Sequence, residues 1–225
     1  MNAPPQQPPV HFVCGIRGHG KTTKARELVA DRPRLLAYDP FREHDVLHLD
    51  WSELCDFLDY AESLERFRVG LSEPGHEAHF CALALVVGHR LQQEPRARQL
   101  VTLLEEADLL ARPGQEPPVL ADLVARGRHE GIELVAVSRR PAEVSRLITS
   151  QAEHFYVFRT QEPRDVAYLR SYIGETAAAA VQQLPKFHYV SWSGGRWSER
   201  VLGAPGPVRA PAESEPAPAG GGGNS

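Results

Sequence analysis

Eight consecutive residues, Gly15-Ile16-Arg17-Gly18-His19-Gly20-Lys21-Thr22, constrain this chain more than any others. They fit the phosphate-loop pattern G-x-x-x-x-G-K-[ST] without a mismatch. Their flanks suit the pattern. Val10-His11-Phe12-Val13-Cys14 reads as a strand leading in, and Thr23 to Ala30 reads as a helix leading out. Glycine at 15, 18 and 20 lets the backbone curl until successive N–H groups face a phosphate. The helix adds the positive end of its dipole. Lys21 is placed to reach the β- and γ-phosphates, and the Thr22 hydroxyl to ligate Mg²⁺. Gly15, Ile16, Arg17, Gly18, His19, Gly20, Lys21, Thr22 and Thr23 are therefore the expected binding set for a nucleoside triphosphate.

A phosphate loop alone does not separate a hydrolase from a kinase or a switch. That needs an acidic element at the end of another strand. Leu100-Val101-Thr102-Leu103-Leu104-Glu105-Glu106-Ala107-Asp108 is the best candidate. A short apolar run bounded by charges suits a buried parallel strand, whose C-terminal end faces the ligand crevice. Glu105 is expected on Mg²⁺, through water, and Glu106 as the general base that polarises the attacking water. Asp108 is the alternative acid if the strand is shifted in register.

Between the tails, strand-like and helix-like segments alternate. Strands are expected at Arg34–Asp39, Phe67–Leu71, Ile132–Val137 and His154–Phe158, with a hairpin over Lys186–Trp197 around Gly194-Gly195. Helices are expected at Ser52–Leu64, Glu77–Leu91, Val119–Arg128, Pro163–Ile173 and Thr176–Leu184. This order predicts an α/β fold, a mostly parallel sheet with helices on both faces. Residues 10–202 form the expected domain. Residues 1–9, rich in Pro and Gln, and 203–225, rich in Pro and Gly, read as disordered tails.

Composition narrows the setting. The 225 residues suffice for one α/β domain, and a net charge of −4 advertises no global basic field. Cys14, Cys55 and Cys81 are odd in number and irregularly spaced, as expected of reduced thiols. The ten histidines lack metal-ligand spacing. No apolar run reaches the length of a membrane span and no leader is visible, so the chain reads as cytoplasmic.

Two further segments complete a set. One is Ala125-Arg126-Gly127-Arg128-His129-Glu130-Gly131 with the strand to Val137 and then Ser138-Arg139-Arg140-Pro141; the other is Ile148 to Arg159. With the phosphate loop and Glu105/Glu106, they resemble the FtsK/HerA superfamily of DNA-pumping ATPases. Within it the chain looks most like the compact ATPases that package genomes into viral capsids. The filamentous-phage assembly ATPases related to zonula occludens toxin come next. The resemblance spans roughly residues 10–200. It implies a P-loop NTPase of RecA/ASCE type that hydrolyses ATP with Mg²⁺ and works as a homo-oligomeric ring, a hexamer. It also implies sequence-independent contact with double-stranded DNA and, as further partners, capsid proteins, in host cytoplasm or virion.

The family places a polar sensor where Ser138 and Arg139 stand, although it most often has Gln at the position of Arg139; the usual first acid of the acidic strand is Asp, where this chain has Glu105. The family also uses an arginine that reaches a neighbour's nucleotide. Arg126 and Arg128 match the region that supplies it, with Arg140 the next choice. Asp39 matches an acidic position common in the family. Pore contacts are not assigned; Arg96, Arg98 and Arg112 are candidates. The sequence shows no membrane helix before the motor, no small N-terminal barrel and no winged-helix DNA reader after it, the pattern expected of the packaging group. Two other classes stay open: a small-molecule or nucleotide kinase, and a nucleotide-dependent assembly or regulatory protein that does not hydrolyse.

Overall fold

The computed structural model describes residues 7–94, 99–204 and 206. The expected tails at 1–9 and 203–225, and the candidate pore residues Arg96 and Arg98, lie largely or wholly outside that range. Nine described strands run in chain order: β1 (Val10–Cys14), β2 (Arg34–Tyr38), β3 (Leu47–Leu49), β4 (Phe67–Leu71), β5 (Leu100–Leu104), β6 (Ile132–Ser138), β7 (His154–Phe158), β8 (His188–Ser193) and β9 (Arg196–Val201). They form one sheet in the order β3-β4-β2-β5-β6-β1-β7-β8-β9. Every pairing from β3 to β7 is parallel, and β8 and β9 close the far edge as an antiparallel hairpin. All five residues of β1, β2 and β5 are buried, as near-continuous apolar strands inside a parallel sheet must be.

The helices are α1 (Lys21–Val29), α2 (Trp51–Leu58), α3 (Glu77–Gln93), α4 (Ala107–Leu110), α5 (Pro118–Arg126), α6 (Arg146–Thr149), α7 (Pro163–Ile173) and α8 (Glu175–Val181). They cover both faces, but unequally. Alternate strand residues split into two clusters. Phe12, Leu36, Val69, Leu134 and Phe155 pack with side chains from α2 through α8. Val13, Leu35, Leu103, Val135 and Phe158 meet Ala25 and Val29 of α1 alone among the helices. The face under α1 is finished with aromatic and ionic groups, including Lys24 lying over the rings of Tyr156 and Tyr189 at 5.1 and 5.2 Å.

Several boundaries differ from the sequence reading. The expected helix Ser52–Leu64 stops at Leu58. Asp59 and Tyr60 bond back to Asp56 and Phe57 in a tightened last turn, and a 3₁₀ turn follows at Ala61–Ser63. Its start is sharp because Asp50 and Glu53 form a reciprocal capping box. The helix ending at Arg128 becomes α5 plus a 3₁₀ turn at Gly127–Glu130, and the one ending at Leu184 stops at Val181. The hairpin is shifted to His188–Val201. β3 was not anticipated: three residues, none fully buried, carry too little pattern to read.

Candidate nucleotide site

Sheet order determines which loops meet. β6 lies between β1 and β5, so the loops after all three strands open at one edge. The registers align them: Cys14 sits opposite Ser138, and Leu104 opposite Ala136. The residues leaving β1, β6 and β5 are Gly15, Arg139 and Glu105, on adjacent strands spaced about 4.8 Å apart.

The loop after β1 is pinned at its base, with Gly15 N–H donating to the Ser138 carbonyl at 3.3 Å and Ile16 N–H to Arg159 at 2.9 Å. Gly15 has φ +137°, and a Cβ there would stand 2.7 Å from Cβ of Phe158. Gly20 caps α1 at φ +111°, a backbone that side-chain-bearing residues rarely adopt, and a Cβ there would force the Leu202 side chain to move. The loop delivers Lys21, whose Nζ donates to its own loop at the Ile16 carbonyl, 3.2 Å away. Burial lowers the Lys21 pKa, and the negative charge of Glu105 and Glu106 opposes that shift.

The sequence register of the acidic strand holds. β5 ends at Leu104, and Glu105 and Glu106 follow at the sheet edge. Glu106 takes a left-handed backbone, φ +50°, and caps α4. Such strain persists where surroundings enforce it, commonly at functional sites. Its Oε2 accepts from Nε of Arg139 at 2.8 Å. Burial, reinforced by Asp108, raises the Glu106 pKa above the ordinary value, and Arg139 pulls it back. Asp108 turns inward, is buried, and accepts from the Ser138 hydroxyl at 2.9 Å.

A cleft of about 490 Å³ joins these parts. Arg17, Gly18, Gly20, Lys21, Thr22 and Thr23 line one wall; Glu105, Glu106 and Arg139 line another. Phe41, Glu43 and Phe187 complete it. Ser138 does not line the cleft. It is 1% exposed, and its oxygen both donates to Asp108 and accepts from Arg140 N–H at 3.0 Å. The sensor position therefore divides, with Arg139 facing the cleft and Ser138 tying β6 to α4.

The other arginines fall elsewhere. Arg126 ends α5 and Arg128 lies in the 3₁₀ turn before β6, where it pairs with Glu153 at 3.3 Å. β6 is seven residues long, so this turn lies about 20 Å from the cleft edge. Neither arginine reaches the cleft of its own chain. Arg140 is held by buried Asp165 at 2.8 Å, and Arg112 donates to the Asp108 carbonyl at 3.2 Å. Of the cysteines, all free, Cys14 and Cys81 are buried and Cys55 is partly exposed.

Sequence reasoning missed the turn after β2. Thr22 donates its hydroxyl proton to Glu43 at 3.0 Å, and Nε2 of His44 lies 2.7 Å from Oε1 of Glu105. Asp39, singled out only as an acidic position, accepts the N–H groups of Glu43 and His44 at 3.0 and 2.8 Å. Asp39-Pro40 followed at short range by acidic and imidazole groups was the readable signal of a side-chain-capped turn.

The set of donors suits Mg²⁺: a hydroxyl and carboxylates, all hard oxygen ligands, beside a phosphate cradle. Among the described residues, no cluster of three or more His, Cys, Asp or Glu side chains is arranged to hold a metal alone. A Mg²⁺ ion here would draw part of its shell from phosphates and water, its usual habit. No described helix is long and apolar enough to cross a membrane.

No protein-family model matches the chain. It is 27% identical over 145 residues to Protein P9 of Pseudoalteromonas phage PM2, a match covering 63% of this chain and 64% of that protein. The chain thus spans a little under two thirds of that relative's length. The genome-packaging NTPase B204 of Sulfolobus turreted icosahedral virus 2, solved with ATP-gammaS, superposes with a TM-score of 0.68 at 16% identity. The superposition covers 86% of this chain and 96% of that one. VirB4 of Thermoanaerobacter pseudethanolicus gives 0.61 at 10% identity, covering 87% and 90% of the two chains. The cytoplasmic domain of the type VII secretion ATPase EccC of Thermomonospora curvata gives 0.56 at 15% identity, with 83% and 22% covered. The resemblance first seen in the motifs therefore extends to the architecture, and the chain has a P-loop NTPase fold like that of B204.

Proposed function

We propose that this chain is an ATP-hydrolysing motor that moves double-stranded DNA and packages a viral genome into a capsid. The observation that carries the reading is the convergence of Lys21, Glu106 and Arg139 in one cleft from three adjacent strands. The likeness to a packaging NTPase over nearly that protein's whole length supports it.

The loop N–H groups and Lys21 bind the phosphate chain of ATP and orient it across the strand ends. Thr22 and Glu105 are the residues that would hold Mg²⁺, which supplies charge neutralisation on the β- and γ-oxygens when bound. Glu106 takes the proton of the attacking water, and its raised pKa suits a base. Arg139 holds that carboxylate until the γ-phosphate competes for the guanidinium. Subunits assemble as a ring, a hexamer, in which Arg126 or Arg128 serves the neighbour's nucleotide. DNA is gripped through its phosphates without regard to sequence. Residues 10–202 form the motor, acting in host cytoplasm or at the virion.

Steady-state ATP hydrolysis with Mg²⁺, with and without long double-stranded DNA at low salt, tests the reading across several protein concentrations. Turnover that rises with DNA and steeply with protein concentration is expected. Turnover indifferent to DNA removes the motor. Phosphate transfer to an added acceptor would instead select a kinase, and nucleotide binding without turnover a regulator.

A further inference from the structure

The usual first acid at the end of the acidic strand is Asp, and the longer side chain of Glu105 has one more torsion to fix. The structure carries a device that fixes it. We propose that the turn joining β2 to β3 is a working wall of the nucleotide site, in which His44 positions Glu105 and Glu43 positions the Thr22 hydroxyl. The proposal rests on the nucleotide-binding reading and adds to it two residues that no motif of the chain marks.

The turn is built to be stiff. Asp39 is fully buried, and each of its carboxylate oxygens receives one backbone N–H, from Glu43 at 3.0 Å and His44 at 2.8 Å. Arg42, immediately before Glu43, adopts a left-handed backbone, φ +55°. Arg26 of α1 donates to the Glu43 carbonyl, which ties the turn to the helix that follows the phosphate loop. Beyond it, Val46 presses on Gly70 of β4 so tightly that a Cβ there would come within 2.7 Å of Cγ2.

This frame presents two side chains in succession. The side chains of His44 and Glu105 are 1% and 5% exposed and meet at 2.7 Å. Nδ1 of His44 is buried without a partner, which fits a ring whose proton is on Nε2, donating to the carboxylate. Oε1 of Glu105 is thereby committed, which leaves its other oxygen to serve the cleft that Glu105 lines. Glu43 is exposed, and its Oε2 accepts a hydrogen bond from the Thr22 hydroxyl at 3.0 Å. A hydroxyl that donates in one direction turns its lone pairs to the others, so Thr22 keeps an acceptor for a cation. Neither residue touches reacting atoms; each acts through a residue of the cleft.

The test is binding of a methylanthraniloyl ATP analogue across a Mg²⁺ titration, alongside kcat and KM, for the full chain and for His44→Ala, His44→Gln, Glu43→Ala and Lys21→Ala. Partners of ligating residues typically affect metal affinity or activity about 10- to 100-fold. The expected result is a half-saturating Mg²⁺ concentration raised at least about tenfold in His44→Ala and Glu43→Ala, with kcat lowered more than KM is raised. Binding of the analogue in EDTA stays as in the unaltered chain. His44→Gln, whose amide can donate to Glu105, recovers most of the loss. Because Glu43 is exposed, Glu43→Ala remains a test even if His44→Ala fails to fold. Unaltered Mg²⁺ dependence and kcat in Glu43→Ala, or a His44→Gln no better than His44→Ala, overturn the proposal. If the unaltered chain itself binds no analogue, or binds it no better than Lys21→Ala, it is the nucleotide-binding reading that falls.

Discussion

Arg139 donates from Nε to Oε2 of Glu106 at 2.8 Å, across the gap between the loops leaving β6 and β5. The pair joins the one cation of the cleft supplied by β6 to the carboxylate assigned to catalysis. Glu106→Gln removes the base but keeps the amide oxygen that accepts from Arg139. It should retain ATP binding and lose turnover by about 10²- to 10⁴-fold, the usual contribution of a general base. Single-turnover phosphate release beside equilibrium binding checks this. Retained turnover would show that Glu106 is not the base.

Ser138 and Asp108 offer a cleaner separation of structure from chemistry. Both are buried, and their bond at 2.9 Å fastens α4 to β6 away from the cleft lining. Ser138→Ala leaves a buried carboxylate short of a donor and should cost about 1–3 kcal/mol of stability. Asp108→Asn keeps an acceptor for Ser138 and should turn ATP over close to the normal rate. Denaturant melts and steady-state turnover decide it. An Asp108→Asn chain that folds but is dead would move the acid to Asp108.

How much of this was legible beforehand depended on the range of the signal. β1, β4 and β7 have the limits read from the sequence, because apolar runs bounded by turn residues are local patterns. Glu105 and Glu106 were placed for the same reason. Ser138 and Arg139 could not be told apart, because which one faces the cleft depends on pleat and on a partner thirty residues away. Asp39-Pro40 signals a turn, but nothing local marks Glu43 and His44 as residues of the site. Their roles come from contacts with Thr22 and Glu105, 21 and 61 residues distant in sequence, and from a turn stiffened by Asp39. The short β3 carried no burial pattern to read.

Under α1, Glu133 is buried with Arg32 at 2.9 Å and His11 at 3.2 Å. Burial raises its pKa, but the bonds and charges of His11 and Arg32 outweigh burial and hold it below the ordinary carboxylate value. The folded value lies below the unfolded one, so this contribution to stability is fully present above the ordinary range. It is lost as pH falls through the folded value. Glu133→Gln should therefore lower stability at neutral pH by about 1–3 kcal/mol and flatten the decline below about pH 4.5. Urea midpoints measured between pH 3 and 7 check the slope; parallel profiles for the two chains would exclude this pair as a source of acid sensitivity.

Arg128 sits at the end of β6 remote from the cleft and pairs with Glu153 at 3.3 Å in its own chain. Since it cannot reach its own nucleotide, any part in hydrolysis must be played on a neighbour's. Arg128→Ala should then bind ATP normally while turnover falls about 10³-fold or more, the scale of an arginine finger. An arginine that only caps its helix end would cost a few tenths of a kcal/mol in stability and nothing in rate. Mixing separates the two. Glu106→Gln subunits lack the base but keep Arg128, and Arg128→Ala subunits keep the base. A ring holding both contains sites whose Glu106 and Arg128 come from two intact halves, so turnover should reappear on mixing two inactive preparations. Normal turnover by Arg128→Ala alone would exclude Arg128 as the finger and leave Arg126 as the residue to replace.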